Sequence, residues 1–401
     1  MVSLSSRFFL GMVASAITIS FLGTVEARKC SNLLGNESSY WQKSTNESKK
    51  HHYEFALHDC ELQRFTHKEA KQCLASRHII LIGDSIVRLQ YLSLIYFLIH
   101  GEYPDPYGKD LPGGIPNVAQ HKAYKTWEET MLGLSESVFK GYESCDCYRD
   151  GQWRNIKNIS ENRFFKMNPN DGVSEGTIKV SFFFDTCMGN IFGHYPLPPS
   201  LSRPWRYDAP DWKGQWKDLP SQWKQNNQQG IEADAVFTSC GHWPFLAGSG
   251  HDGWTEKDYS TISSTMKAFQ SMLKTNPTRP FPSDKPNVIW RTNFPSQQVF
   301  KRKGRIDKVL NNMKSYDTAL NVANELNFRV IDTNDMVAKL NHTELPPMKY
   351  IFDKTNPCPM IRGGDSGSPR AEALWHNGDG THPCPWMSEE INNYLLNILC
   401  L

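Results

Sequence analysis

The side chains that suggest chemistry in this chain are a serine, an aspartate and a histidine. Ser85 follows an apolar run at residues 78–82 and the dipeptide Gly83-Asp84, and a helical pattern starts at residue 86. This pattern predicts a strand, a tight turn and a helix, with the serine at the elbow. Since N–H groups at a helix start favour developing negative charge, the position suits a nucleophile, although Gly-Asp-Ser is also ordinary turn and N-cap chemistry.

A serine nucleophile needs a base, and the base needs an acid that orients it. Asp379 and His382 supply both groups within one turn, far along the chain from Ser85. The carboxylate can accept from Nδ1 of the imidazole, which leaves Nε2 for the serine. A lone Asp-x-x-His pattern is common by chance. Together with the strand, Gly-Asp-Ser and helix pattern, it indicates acyl transfer through an acyl-serine.

A second Gly-Asp-Ser, with its serine at Ser366, resembles the nucleophile loop of chymotrypsin-like proteases. That family also needs an upstream histidine in an Ala-His-Cys-like context on a double β-barrel, and the sequence contains no such segment. We interpret residues 362–370 as a loop rich in Gly, Ser and Pro. His242 and His376 are other candidate bases. No second ligand at helical spacing accompanies His242, so we expect no metal site.

Strand and helix patterns alternate along the chain, which predicts an α/β fold with a largely parallel sheet. The strands are expected at 78–82, 178–184, 233–238, 287–290 and 328–331, and the helices at 61–74, 86–99, 259–273, 306–326 and 389–399. Ligand sites of open α/β sheets lie outside the carboxyl ends of the strands. The polar clusters at the ends of the predicted strands should therefore lie close together. These clusters are Gly83-Asp84-Ser85, Ser239-Cys240-Gly241-His242, Arg291-Thr292-Asn293 and Asp332-Thr333-Asn334.

The N-terminal residues have the composition of a targeting segment. Arg7 precedes an apolar run over 8–25 that ends at small residues around Ala27. We predict a cleaved signal peptide over 1–27, with a type II signal anchor as the alternative. Residues 28–57 are polar and are interpreted as a stem. The remainder, 58–401, is expected to form one catalytic domain.

Cysteine usage and glycosylation patterns agree with passage through the secretory pathway. The chain has 10 cysteines, and none forms paired C-x-x-C sets of zinc type. Disulfides are the expected state in an oxidising compartment. The formal net charge of +2 and the lack of a Lys/Arg block give no reason to expect a nucleic-acid partner. Sequons for N-glycosylation occur at Asn36, Asn46, Asn158 and Asn341.

Several blocks together resemble the SGNH-type acyl-esterase superfamily. Within it, the chain is most similar to the PC-esterase group. This group includes plant trichome-birefringence-like polysaccharide O-acetyltransferases and the luminal domains of sialic-acid and fungal-capsule O-acetyltransferases. The resemblance covers about residue 60 to the C-terminus. It is carried by Cys60-Glu61-Leu62-Gln63-Arg64-Phe65, Gly83-Asp84-Ser85 with Arg88, Gly241-His242-Trp243, Arg291-Thr292 with Pro295, and Asp379 with His382.

The resemblance implies an SGNH-hydrolase-like (flavodoxin-like) three-layer fold, with a mostly parallel central sheet and long loop insertions. It implies that Ser85 is the nucleophile, His382 the general base and Asp379 the residue that orients the base. The Ser85 N–H would be one oxyanion donor, and Ser239 stands where the superfamily usually has a donor Asn. The other residues assigned to the oxyanion and substrate region are Gly83, Asp84, Gly241, His242, Trp243, Arg88 and Arg291.

The two arginines of this region have two interpretations. Arg88 and Arg291 could position a sugar or the acyl donor, or each could form a structural salt bridge. Similarly, His242 could contact substrate or serve in packing. The clustered tryptophans of the chain, which has 12 in all, suit the stacking of sugar faces but also ordinary packing.

The implied function is an O-acetyltransferase that acts on glycan or polysaccharide hydroxyls in the Golgi lumen, either free or anchored in the membrane. No cofactor is expected. The acyl donor would be a co-substrate, which a separate membrane partner could supply. A secreted carbohydrate acetylesterase is the first alternative, since water can replace the sugar hydroxyl. A non-catalytic glycan-binding protein on the same fold is the second alternative.

Overall fold

The computed structural model describes residues 30, 39–43, 53–104, 131, 133–150, 158–169, 176–184, 231–239, 263, 266, 273–274, 288–292, 306–336 and 385–401. The signal peptide or anchor predicted over 1–27 lies outside these residues, as do the clustered tryptophans. Among the described helices, none combines the length and apolar character needed to cross a membrane.

The described residues form helices and strands, which are numbered here in chain order. The helices are α1 (His67–Leu74), α2 (Ser85–His100), a π-helix (Leu134–Val138), α3 (Ile306–Glu325) and α4 (Pro385–Cys400). The strands are β1 (Ser39–Lys43), β2 (Tyr53–Leu57), β3 (His78–Gly83), β4 (Glu143–Asp150), β5 (Asn158–Met167), β6 (Ile178–Phe184), β7 (Ile231–Glu232), β8 (Ala235–Thr238), β9 (Leu273–Lys274), β10 (Val288–Arg291) and β11 (Arg329–Ile331).

A seven-stranded sheet in the order β11-β10-β8-β3-β6-β5-β4 forms the centre of the fold. The five strands from β11 to β6 pair in parallel, and β5 and β4 extend the sheet in antiparallel pairing. Counted along the chain, the parallel strands have the order 2-1-3-4-5, which is a doubly wound arrangement. The predicted α/β fold with a mostly parallel sheet is confirmed.

Both faces of the central strands are covered. Every residue of β3 is buried. Ile79 and Leu81 belong to a core that includes residues of α2 and α4, while Ile80 and Ile82 are buried on the opposite face of the strand. This two-sided burial explains why the strand is a continuous apolar run in the sequence, without the alternation of a half-exposed strand.

Helix α4 runs alongside α2 in the same direction. Asn392 Nδ2 donates to the carbonyl of Gln90 at 3.1 Å. At the other end of α4, Arg329 Nη1 donates to the carbonyl of Ile398 at 2.6 Å. Arg329 is the first residue of β11, so α4 ends at the amino edge of the sheet. The first residue of α4, Pro385, therefore lies towards the carboxyl edge, where α2 also begins.

Part of the segment predicted as a polar stem belongs to the fold. β1 and β2 form an antiparallel hairpin, and its residues Trp41 and Phe55 are buried in the core. Trp41 Nε1 donates to the carbonyl of Met336 at 2.8 Å, and the Phe55 N–H donates to Glu390 Oε2 at 2.9 Å. The prediction of a polar stem over 28–57 is therefore corrected. The sequence did not reveal these short strands because few apolar residues are spread among many polar ones in this segment.

Three disulfides are present among the described residues. They join Cys30 to Cys60, Cys73 to Cys400, and Cys145 to Cys147. The first ties the chain before β1 to the segment that follows β2. The second joins the end of α1 to the end of α4, across a sequence separation of 327 residues, and so closes the fold near the amino edge of the sheet.

Candidate functional site

Ser85 lies at the elbow between a buried strand and a helix. β3 ends at Gly83, Asp84 is the N-cap of α2, and Ser85 is the first helical residue. The Asp84 side chain accepts from the N–H of Ile86 at 3.0 Å. The Asp84 carbonyl accepts the first intrahelical bond from the N–H of Arg88, also at 3.0 Å. These two bonds fix the first turn, as expected for an Asp cap.

The serine at the elbow is more accessible than its neighbours. In the run from residue 78 to residue 98, every residue except Ser85 is buried. A helix start also directs its N–H groups outward, with a partial positive charge. An oxyanion formed on a group attached to Ser85 Oγ would lie next to those N–H groups. The strand, turn and helix predicted around Ser85 are therefore present.

Gly83 is required at this elbow for steric reasons. A Cβ at this position would lie 2.3 Å from Val87 Cγ2 and 2.8 Å from Val87 Cβ. Val87 is fully buried and its χ1 is stiff in a helix, so it cannot turn aside. The close approach of α2 to the end of β3 therefore depends on glycine.

Gly83→Ala is expected to destabilise the fold by about 1–3 kcal/mol because the new methyl group overlaps Val87. Chemical denaturation measures the loss. The matched test is a double-mutant cycle with Val87→Ala. The free energy of unfolding lost by the double variant should be smaller, by at least about 1 kcal/mol, than the sum of the losses of the two single variants. Additive losses would show that the methyl group added at residue 83 does not overlap Val87.

Four parallel strands bring polar residues to one edge of the sheet. Their registers align the carboxyl ends, through the pairs Ile82–Thr238, Thr238–Trp290 and Arg291–Ile331. Ser85, Ser239 and Arg291 therefore lie at the same edge, as the convergence argument predicted. Ser85 and Ser239 follow β3 and β8, the two strands between which the strand order reverses. Such a switch point is where open α/β sheets bind their ligands.

Arg291 is a buried cation near Asp84, the N-cap of α2. Its Nη2 donates to Ser239 Oγ at 2.9 Å, and both residues are buried. Burial lowers the pKa of Arg291 to about 10, although the Asp84 carboxylate raises it. The guanidinium therefore remains charged at neutral pH. It links the ends of β10 and β8 and places a positive charge near the carboxylate that caps α2.

A second polar cluster at the ends of β10 and β11 is built on Asp332. Its Oδ1 accepts from Thr292 Oγ1 at 2.9 Å and from the Asp335 N–H at 3.0 Å. Its Oδ2 accepts from the Tyr316 hydroxyl at 2.5 Å. Burial and then the bond to Asp332 raise the pKa of Tyr316. The sequence indicated Thr292 and Asp332 as strand-end residues, but Tyr316 lies within a long helix and carried no local signal.

Arg88 forms a buried ion pair with a residue of β5. Its Nη1 lies 2.9 Å from Glu161 Oε2. Glu161 Oε1 also accepts from Arg163 Nε at 2.6 Å. Arg163 in turn pairs with Glu143 at 2.9 Å, and Glu143 Oε2 accepts from Ser135 Oγ at 2.6 Å. For Arg88 the geometry is that of a salt bridge, one of the two interpretations of this residue.

This buried charge network, Arg88, Glu161, Arg163 and Glu143, was missed by the sequence reasoning. Glu161 and Arg163 are two residues apart on β5, so both point to the same face. Burial raises the pKa of Glu161, but the two arginines outweigh burial and lower it overall. For Glu143, burial is the stronger influence and raises the pKa despite Arg163. A Glu-x-Arg pair, which places opposite charges on one face of a strand, was the signal available.

Most of the other predicted site residues lie outside the described part of the chain. Asn158 is the first residue of β5. In the described residues, no group of three His, Cys, Asp or Glu side chains is arranged to hold a metal ion. Several predicted residues lie outside the described ranges, namely Asp379, His382, Gly241, His242, Trp243, His376, Asn36, Asn46 and Asn341, together with Ser366 and its loop.

No protein-family model matches the chain, and no curated protein matches it.

Proposed function

We propose that this protein is an SGNH-type O-acetyltransferase that acetylates glycan or polysaccharide hydroxyls through an acetyl-Ser85 intermediate. The observation that carries the proposal is the position of Ser85. It is the one residue of the 78–98 run that is not buried, it begins α2, and it lies at the switch point of a doubly wound sheet. A binding module would not need a serine at this position.

In the proposed reaction, Ser85 Oγ attacks the carbonyl carbon of the acetyl donor, and His382 accepts the hydroxyl proton. Asp379 orients the imidazole and stabilises its charged form. The negative charge on the carbonyl oxygen faces the N–H groups at the start of α2. The donor's leaving group takes the proton from His382. A glycan hydroxyl then attacks acetyl-Ser85 and gives its proton to His382, and the proton returns to Ser85 as the ester forms.

The direction of α4 supports His382 as the base. Pro385 begins α4 towards the same edge of the sheet at which Ser85 begins α2. His382 precedes Pro385 by three residues, and a stretch of that length spans at most about 10 Å. The chain therefore does not need a long excursion for an imidazole at residue 382 to reach the serine.

The strand order supports the SGNH-type assignment. The order 2-1-3-4-5 of the parallel strands is the flavodoxin-like order, which the resemblance to the SGNH superfamily implies. The proposed compartment is the secretory pathway, with the Golgi lumen as the place of action. The three disulfides support it, since disulfides persist in oxidising compartments. A mature N-terminus near Arg28 would support a cleaved signal peptide, and a retained N-terminus would support an anchor.

The experiment that tests the proposal compares acetyl transfer with hydrolysis. The purified protein is incubated with a chromogenic acetyl ester, with and without oligosaccharide acceptors, and products are followed by mass spectrometry. Acetylated oligosaccharide is the expected product. Acetate without acetylated sugar would instead identify a carbohydrate acetylesterase. Sugar binding without turnover of any acetyl ester would identify a glycan-binding protein and would contradict the proposed enzyme.

A further inference from the structure

We infer that the buried ion pair Arg88–Glu161 is a positioning device for the nucleophile, which holds the first turn of α2 at a fixed place relative to the sheet. This inference rests on the proposed function only in taking Ser85 as the nucleophile. It assigns to Arg88 a role that acts through the helix, without contact to sugar or acyl donor.

Ser85 and the ion pair lie close together along α2. Ser85 and Arg88 are three residues apart, so they lie on the same face of the helix. Arg88 Nη1 is 2.9 Å from Glu161 Oε2, and the exposed fractions of the two side chains are 11% and 0%. The serine and the ion pair are thus separated by a single helical turn, with no flexible linker between them.

The ion pair is part of a larger buried charge network. Glu161 is held by Arg163 on its own strand, β5, at 2.6 Å. Arg163 is held by Glu143 of β4 at 2.9 Å. Tyr91, one turn beyond Arg88, lies beside Glu143 and Arg163, and burial followed by the charge of Glu143 raises its pKa. Two successive turns of α2 therefore face one rigid charge network on the antiparallel side of the sheet.

The energetic contribution of such an ion pair differs from that of an apolar contact. A buried pair adds little net stability compared with a well-packed apolar pair of similar volume. Unlike an apolar contact, the ion pair is directional, because a guanidinium bonded to a carboxylate fixes the distance and orientation of the two groups. A displacement of about 1 Å at a reacting group can lower a rate by about 100-fold. A polar contact one turn from the nucleophile is thus better suited to positioning than to stability.

Charge balance makes the two roles separable by mutation. The network holds two arginines and two glutamates, so its net charge is zero. Arg88→Met leaves one excess negative charge in the core, and Glu161→Gln leaves one excess positive charge. The double variant R88M/E161Q restores neutrality and retains the Arg163–Glu143 pair. It should be more stable than either single variant while it lacks the directional contact.

The test measures how fast a fluorophosphonate probe labels Ser85, with the site mapped by mass spectrometry. In R88M/E161Q we expect labelling, and kcat on an acetyl ester, to fall about 10–100-fold with KM little changed. Arg88→Lys, which keeps the charge but not the planar guanidinium, should label about 10-fold more slowly. Arg329→Lys is the matched control, because this buried arginine lies at the amino edge of the sheet.

Three outcomes distinguish this inference from the proposed function. Slow labelling in a stable R88M/E161Q or in Arg88→Lys, with an unchanged rate in Arg329→Lys, supports the positioning role. Labelling at the wild-type rate in the Arg88 variants overturns the inference alone and leaves the ion pair a structural feature. If Ser85 of the wild-type protein is not labelled at all, the proposed nucleophile and this inference both fail.

Discussion

Ser85→Ala is expected to lower kcat for turnover of an acetyl ester by about 10⁴–10⁶-fold, the range found when a serine nucleophile is removed. The loss follows from the proposed chemistry, since no acyl-enzyme can form without the hydroxyl. The fold should be unaffected, because Ser85 is not buried and truncation of such a side chain changes stability by about 0.5 kcal/mol or less. Initial rates with the chromogenic ester and thermal unfolding measure the two effects.

The matched control is the second Gly-Asp-Ser of the chain. Ser366→Ala removes a hydroxyl from the same tripeptide, but the sequence places no strand before it. Its kcat should remain within about twofold of the wild-type value, as for a loop residue without a catalytic role. Loss of activity in Ser366→Ala with activity retained in Ser85→Ala would transfer the nucleophile to the second loop and contradict the account.

Arg163→Met is expected to cost about 3–5 kcal/mol of folding free energy, the largest stability effect that the structure predicts. Arg163 is fully buried and pairs with both Glu143 and Glu161. Its removal leaves two buried carboxylates with one remaining cation, Arg88. The desolvation of the carboxylates is then poorly compensated. Denaturant unfolding, followed by fluorescence and far-UV circular dichroism, measures the loss.

The loss in Arg163→Met should depend on pH in a defined direction. The pKa of Glu143 is already raised above 4.5 by burial, and loss of Arg163 raises it further. A group with a raised folded pKa favours the fold below its unfolded pKa and loses that contribution as pH rises through the folded value. Glu161, whose pKa is lowered, has the opposite dependence and weakens the wild type in acid. The deficit should therefore be small near pH 4 and large at pH 7.

A control for this effect lies on the same strand. Lys166 of β5 is half-buried, and Lys166→Met should change stability by about 1 kcal/mol or less. An equal loss in Lys166→Met and Arg163→Met, or a deficit in Arg163→Met that grows towards acid pH, would show that the buried charge network does not have the proposed energetics.

The parallel part of the fold could be predicted because its strands are buried on both faces. The apolar run at 79–82 and the aromatic run at 182–184 carry a strong signal, and the observed strands are His78–Gly83 and Ile178–Phe184. The hairpin of β1 and β2 was missed because its stability comes from contacts with α4, such as Phe55 with Glu390. Local sequence carries little information about contacts across 335 residues.

The site shows a similar division between local and distant signals. Polar residues that follow apolar runs can be recognised in the sequence, and Ser85, Ser239 and Arg291 do lie at one edge of the sheet. The partner of a charged residue cannot be recognised in this way. Arg88 pairs with Glu161, which is 73 residues away and on the antiparallel side of the sheet, and only the strand order brings the two together.

The most direct test of an acetyl-Ser85 intermediate is to trap the acyl-enzyme and identify the acylated residue. The protein is mixed with a large excess of a reactive acetyl ester, quenched in acid within the first turnovers, digested and analysed by mass spectrometry. We predict one added acetyl group on the peptide that contains Ser85, with no such product in Ser85→Ala. An acetyl group on Ser366, or turnover with no acetylated serine, would contradict the account.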